Sequence, residues 1–379
     1  MAFNFDEHID RRHSDSEKWN KYPESVIPMW VADTDFRSPQ CITDALTDRI
    51  QHGVFGYGSE PHGLTAAVID YLAARYNWHI EPTWLVFIPG VATGLNISVR
   101  ACCEQGSGTI APTPIYPPFR HAAHLAGRSQ INAPLTLTHD RWVVNLNALS
   151  TQLQGNEKLL LLCNPQNPGG TVYRREELEQ HLAFAQQHDL IVCSDEIHCD
   201  LLLTQNLRHI PFATLSDDAA RRSITLMSPS KTWNIAGLGA SIAIIPDATL
   251  RKRFIRARQG IVPQVDILAL TAAEAALRGG LPWLEAQCHY LRQNRDRLCS
   301  VINQIPGMSV IPPEGGYLAW VDCSGLPPED PWAFFLAAGL GFSRGQDFGE
   351  QKFVRINFGC TRATLEEAIA RMHRAISTL

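Results

Sequence analysis

The sequence predicts an α/β protein: a mostly parallel sheet sandwiched by helices in a large domain, joined to a smaller α+β domain. Three observations carry this. From Leu85 to Pro246 short apolar runs alternate with amphipathic stretches of helical spacing, as parallel βαβ units require. Beyond Asp247 the texture changes to long helices followed by strand-like runs. The chain's 379 residues are also too many for one small core, so two domains are expected.

The elements follow in order. A charged, irregular N-terminal arm leads to a helix over Ser38 to His52, with Pro39 in its first turn. His62 to Tyr76 reads as a second helix. The runs LVFIP, SGTIAP, QINAPL, KLLLLC, LIVCSDE, SITLMS and ASIAIIP read as strands, and Arg174 to His188 as one of the helices between them. Ala248 to Leu277 and Pro282 to Ile305 read as long helices, MSVIPPEGGYLAWVDC and KFVRINFGC as strands. A last helix starts near Thr364, where Thr364 and Glu367 have capping-box spacing. The division this suggests is 1–45 for the arm and part of the small domain, 46–280 for the large domain and 281–379 for the small one.

Bulk properties exclude some partners. With 45% hydrophobic and 19% charged residues the composition is that of a folded soluble protein. A net charge of -5 argues against a nucleic-acid backbone or an anionic membrane as partner, while leaving small acidic substrates open. The N-terminus lacks an apolar core of signal-peptide length, and no eighteen apolar residues run together. The ten cysteines are scattered through apolar stretches, so free thiols in a reducing cytoplasm are expected rather than disulfides.

Four loops carry unusual chemistry, and each follows an expected strand, so they should converge beyond the carboxyl edge of the sheet. Ser228-Pro229-Ser230-Lys231 follows SITLM. An amine there can form an imine with an aldehyde cofactor, and its serines can donate to a phosphate; a solvated loop lysine fits the same residues. Asp195 closes the strand in IVCSDEIH, where a buried acid needs a cation such as a protonated pyridine nitrogen. A helix-capping carboxylate fits that position too. Asn164-Pro165-Gln166-Asn167-Pro168 doubles an Asn-Pro step, which stiffens the loop and makes an Asn in it a positioned donor that could bond a ring oxygen; an ordinary turn explains the doubled pattern less well. In IPGVATG a helix begins near Val91, and the free N–H groups of Val91 and Ala92 offer a phosphate site of a kind every strand-to-helix turn provides.

Taken together, TPIYPPF, NPQNPGG, SDEIH, SPSK and VRINF resemble the fold-type I pyridoxal-phosphate enzymes of the class I/II aminotransferase family. More narrowly, PMWVADTDF, FGYG, LCNPQNP, SDEIHCDL, SKTWNIAGL and GGYLAW resemble its MalY/PatB-type cystathionine β-lyases, over roughly residues 9 to 372. The resemblance implies the type I fold with pyridoxal 5'-phosphate as cofactor and Lys231 as its Schiff-base lysine. Asp195 would hold the pyridine nitrogen, Asn167 the ring oxygen and Tyr116 the ring face. Ser228, Ser230, Val91 and Ala92 would cradle the phosphate. Tyr57 would reach the phosphate of a partner subunit, implying a homodimer with shared active sites. Lys231, Tyr116 and Tyr57 would form the catalytic set; Arg355, Trp30 and Asn167 would meet the amino-acid substrate, Arg355 by gripping its α-carboxylate.

The sequence departs from the wider family at three places. Gly239 stands where many members have a phosphate-binding arginine, His198 where many have a tyrosine, and Gly169 where threonine is common. An imidazole at 198 can donate to the ring oxygen instead. The resemblance implies β-elimination from an L-cysteine S-conjugate such as cystathionine, with transamination as the alternative outcome. Ser228-x-x-Lys231 also fits a serine acyl enzyme, but the S-D-N partner element is absent. His121 with His124, and Cys193 with His198 and Cys199, lack further ligands at familiar spacing, so no metal is expected.

Overall fold

A computed structural model describes residues 3–379. Its larger sheet has eight strands. Five of them run parallel in the order Ser129–Thr138, Gly108–Thr113, Glu157–Cys163, Ile191–Asp195 and Ser223–Met227. Ser241–Ile244 pairs antiparallel with Ser223–Met227 and with Leu85–Ile88, and Arg141–Val144 forms an antiparallel edge on Ser129–Thr138. The central strands are apolar without alternation because both faces are covered. Leu161, Cys193 and Leu226 pack under the helices Val91–Cys102 and Ala248–Arg258, while Leu160, Leu162 and Val192 pack under Arg175–Gln187.

In register, Cys163 lies beside Asp195, and Asp195 beside Leu226. The loops that follow these strands therefore leave from one edge, where open parallel sheets collect ligands.

The second sheet has five strands, ordered Ile27–Met29, Leu340–Arg344, Phe353–Asn357, Leu318–Asp322 and Ser309–Val310. Its core takes Leu291 and Leu298 from the helix Leu281–Ile302 and Leu365 and Ile369 from Arg362–Ile376. The N-terminal arm shares that core through Phe5, Met29 and Phe36, and Ile27–Met29 pairs parallel with Leu340–Phe342.

Several boundaries differ from the sequence reading, each for a local reason. The long helix expected over Ala248 to Leu277 is two, Ala248–Arg258 and Ile267–Gly279, because Gly260 turns the chain at φ 75 and Pro263 follows. The helix after the arm starts at Gln40, with Pro39 as its cap. The last helix is capped by Thr361, whose Oγ1 accepts from the Thr364 N–H at 3.2 Å, so Thr364 is inside the first turn. MSVIPPEGGYLAWVDC holds two strands, split where Pro312 and Pro313 cannot donate to a ladder. All ten cysteines are free thiols, nine of them buried. No helix among the described residues is long and apolar enough to cross a membrane.

Candidate active site

A cavity of about 720 Å³ opens beyond the carboxyl edge of the large sheet, against the small one. Ten of the residues singled out in the sequence line it: Lys231, Asp195, Asn167, Tyr116, His198, Ser230, Val91, Ala92, Arg355 and Trp30. Ser228 and Tyr57 do not.

Lys231 sits on a one-turn helix, Pro229–Thr232, started by Ser228 and by a proline whose fixed φ suits a first turn. Its Nζ donates to the Ala32 carbonyl at 2.5 Å. Burial drives its pKa down to about 8, partly offset by the carboxylates of Asp33 and Asp195, while the Arg355 cation depresses it further. The amine is therefore closer to neutral than a surface lysine.

Asp195 shows the opposite shift. Burial raises its carboxyl to about 7, against a hydrogen bond from the Ile197 N–H at 3.0 Å, with the neighbouring Glu196 adding to the rise and Lys231 opposing it. A carboxylate in that position gains from any cation brought against it, and the protonated nitrogen of a pyridine ring has the right charge and shape.

Arg355 is buried and makes no ion pair within 4 Å among the described residues. Its guanidinium donates to Asn167 Oδ1 at 2.9 Å, to the Trp30 carbonyl at 2.8 Å and to Ser343 Oγ at 3.2 Å, and lies 4.5 Å over the Phe348 ring. Its Nε is enclosed with no partner. Burial brings its pKa down to about 10. A buried fork with only neutral acceptors is an anion-binding group. The bond to Arg355 also orients Asn167, leaving the amide N–H groups for the cavity.

His198 is held neutral, its pKa pushed to about 3 by burial and by the cations of Lys231 and Arg355. Its Nδ1 is enclosed without a partner, so Nε2 is the nitrogen left for the cavity. The Tyr116 phenol is pushed up by burial and keeps its proton. At the other end Gly90, at φ 123, turns the strand into the helix Val91–Cys102 and leaves the first N–H groups unbonded. Gly239 lines the same region at φ 70, a conformation that an arginine would adopt only with strain.

Two expected residues lie outside the cavity lining. The Ser228 hydroxyl lies 2.7 Å from the Ala240 carbonyl and 2.8 Å from Ser230 Oγ, and accepts from the Ser230 N–H at 3.1 Å, capping the lysine helix. It makes no hydrogen bond to Lys231, so the serine–lysine pair of an acyl enzyme is not formed here. Tyr57 is fully exposed and does not line the cavity of its own chain.

Sequence reasoning missed the carbonyl and hydroxyl groups that hold the cavity's side chains. Ala32 accepts from both Lys231 and the buried Tyr317 hydroxyl, the latter at 3.0 Å. Asn357 donates to the Val31 and Asp33 carbonyls and so ties this segment down. Trp30, Asp33 and Asp35 in one short motif were the available signal. No group of three or more His, Cys, Asp or Glu among the described residues is arranged to hold a metal.

The family model described as "Aminotransferase class I and II" matches residues 25–372. The chain is 37% identical to "Cystathionine beta-lyase PatB" of Bacillus subtilis (strain 168), covering 99% of this chain and 100% of that protein. It superposes on the crystal structure of OvoB with a TM-score of 0.98 at 59% identity, over the whole of both chains. The PLP-bound C-S lyase from Staphylococcus hominis superposes with a TM-score of 0.92 at 31% identity, over 99% of this chain and 98% of that one.

Proposed function

This chain belongs to the aminotransferase class I and II family, and on that premise we propose that it is a pyridoxal 5'-phosphate-dependent carbon–sulfur β-lyase. Its substrate would be an L-cysteine S-conjugate such as L-cystathionine, cleaved with water to homocysteine, pyruvate and ammonia. One observation carries the reading: a buried lysine of lowered pKa, a buried acid without a cation and a buried arginine without an anion share one cavity. Each meets a different part of one cofactor–substrate pair. The named lyase relatives favour carbon–sulfur cleavage over transamination.

When bound, pyridoxal phosphate supplies an electron sink conjugated to the substrate nitrogen, which acidifies the Cα–H bond. Arg355 grips the α-carboxylate and so presents that bond to Lys231. The Lys231 amine takes the Cα proton at Nζ and delivers a proton to the departing sulfur as the Cβ–S bond breaks. Asp195 would set its negative charge against the ring nitrogen. Asn167 and neutral His198 would donate to the ring oxygen, and Tyr116 would stack on the ring. Ser228, Ser230 and the Val91 and Ala92 N–H groups would hold the phosphate. The exposed Tyr57 serves the other subunit of a homodimer, and exposed Val54 and Phe55 beside it give that interface apolar surface.

Incubating purified, cofactor-loaded protein with L-cystathionine tests this. Pyruvate and thiol in equal amounts are expected without any added 2-oxo acid. Turnover that requires a 2-oxo acid and yields no pyruvate makes the enzyme an aminotransferase.

A further inference from the structure

The cavity extends past the groups just described. Its outer wall carries Glu17, Lys21 and Asp347, three exposed charged side chains with no ion-pair partner within 4 Å among the described residues. Arg344, the other cation of this wall, is committed to Asp330 at 2.6 Å. Lys21 is tied to the carboxylate-binding arginine by contacts, and Glu17 and Asp347 lie close to the same residues in sequence. The Trp30 carbonyl accepts from Arg355, while the Trp30 indole carries the Lys21 ammonium 3.7 Å from its centroid. Phe348, which lies against the Arg355 guanidinium, is preceded by Asp347. Glu17 begins the short helix that ends one residue before Lys21. One cation and two anions, all exposed, thus line the same cavity as the group that would hold the α-carboxylate.

A cysteine conjugate with its carboxylate on Arg355 extends its sulfur substituent into the rest of the cavity, whose lining includes Glu17, Lys21 and Asp347. We propose that Glu17, Lys21 and Asp347 form a leaving-group subsite selecting thiols that carry their own ammonium and carboxylate. Lys21 meets that second carboxylate, and Glu17 with Asp347 meet the second ammonium. The inference rests on the lyase reading. It adds the residues that distinguish an amino-acid thiol from a plain alkyl thiol. Because each charge is exposed, each pairing is weak alone, and selectivity comes from all three together.

The test compares L-cystathionine with S-ethyl-L-cysteine, whose leaving group is uncharged. The triple variant Glu17→Gln, Lys21→Met, Asp347→Asn keeps side-chain size and leaves an aliphatic stem on the Trp30 ring. For cystathionine, kcat/KM should fall roughly 100-fold, mostly through KM, while each single change costs about 5-fold. For S-ethyl-L-cysteine the change should stay within about 2-fold, which also shows that the variant is folded. Equal losses on both substrates, or none on cystathionine, would overturn the subsite. If wild type makes pyruvate from neither compound, the lyase reading fails separately. Calorimetric affinities for the same two compounds then decide: the subsite requires wild type to bind cystathionine at least about 10-fold more tightly, and the triple variant to lose that preference.

Discussion

At the scale of single residues the site is held in a state that costs stability. Asp195 titrates near 7 in the folded chain instead of 3.8, because burial opposes its charge. Between those two values the folded protein keeps a proton that the unfolded chain has released. Stability therefore falls as pH rises through that window, and the loss is complete above about 7. Lys231 works the other way: its pKa drops from 10.5 to about 8, so the penalty is complete below about 8 and is relieved as pH climbs toward 10.5. Both penalties overlap near neutrality, where the enzyme must bind its cofactor. Asp195→Asn keeps an acceptor for the Ile197 N–H and removes the charge. In cofactor-free protein it should be more stable than wild type at pH 8 by up to about 4 kcal/mol, with the gap closing by about pH 4. Urea denaturation at the two pH values measures this. A gap that is the same at both would mean that the carboxylate bears no burial cost.

At the scale of elements, the one-turn helix bearing Lys231 is too short to hold its own orientation, and its neighbours supply it. Thr232 donates from Oγ1 to Asp200 at 3.1 Å, while Gln287 donates to the Thr232 carbonyl at 3.1 Å. Asp200 is buried and also receives the hydroxyls of Tyr71 and Tyr76. Thr232→Val preserves shape but strips Asp200 of one donor. It should cost about 1–3 kcal/mol in denaturant unfolding. It should also lower kcat on the order of 10-fold with little change in KM, because the displaced part is the base and not the carboxylate grip. Thr232→Ser should recover most of kcat; a Val variant with lowered stability and full kcat would make the bond purely structural. The same elements show what the sequence made readable. Strands such as Glu157–Cys163 and Ser223–Met227 stood out because burial on both faces leaves unbroken apolar runs, and Lys231, Asp195 and Asn167 stood out because they close such strands. The strand Ile27–Met29 left no pattern: three residues carry no period, and its partner Leu340–Phe342 lies more than 300 positions away. The capping role of Ser228 was not legible, because it depends on the Ala240 carbonyl and the Ser230 N–H coming to the same place. The Ala32 carbonyl beside Lys231 could not be read at all, since any residue has a carbonyl.

At the scale of the whole molecule, the arm, the small sheet and the large sheet each give side chains to one cavity, through Trp30, Arg355 and Lys231. We propose that the two domains meet near Gly280, which ends the helix Ile267–Gly279 and starts Leu281–Ile302. Tyr57 is the residue that this single-chain arrangement does not use. It is fully exposed and close in sequence to exposed Val54 and Phe55, apolar surface that dimerisation would cover. If Tyr57 completes the partner's site across a two-fold axis, two inactive variants can rescue each other. Lys231→Ala removes the base from its own chain's site, and Tyr57→Ala removes the phosphate contact from the opposite one. In a mixed dimer both lesions fall in the same site, and the other site is intact. Random reassortment of equal amounts puts half of the dimers in mixed form with one good site each, so activity should return to about one quarter of wild type. The measurement needs the two variants unfolded and refolded together, with each refolded alone as control. Recovery far below that level, from variants that form dimers by light scattering, would mean that Tyr57 does not act in trans and that each chain's site is complete within itself.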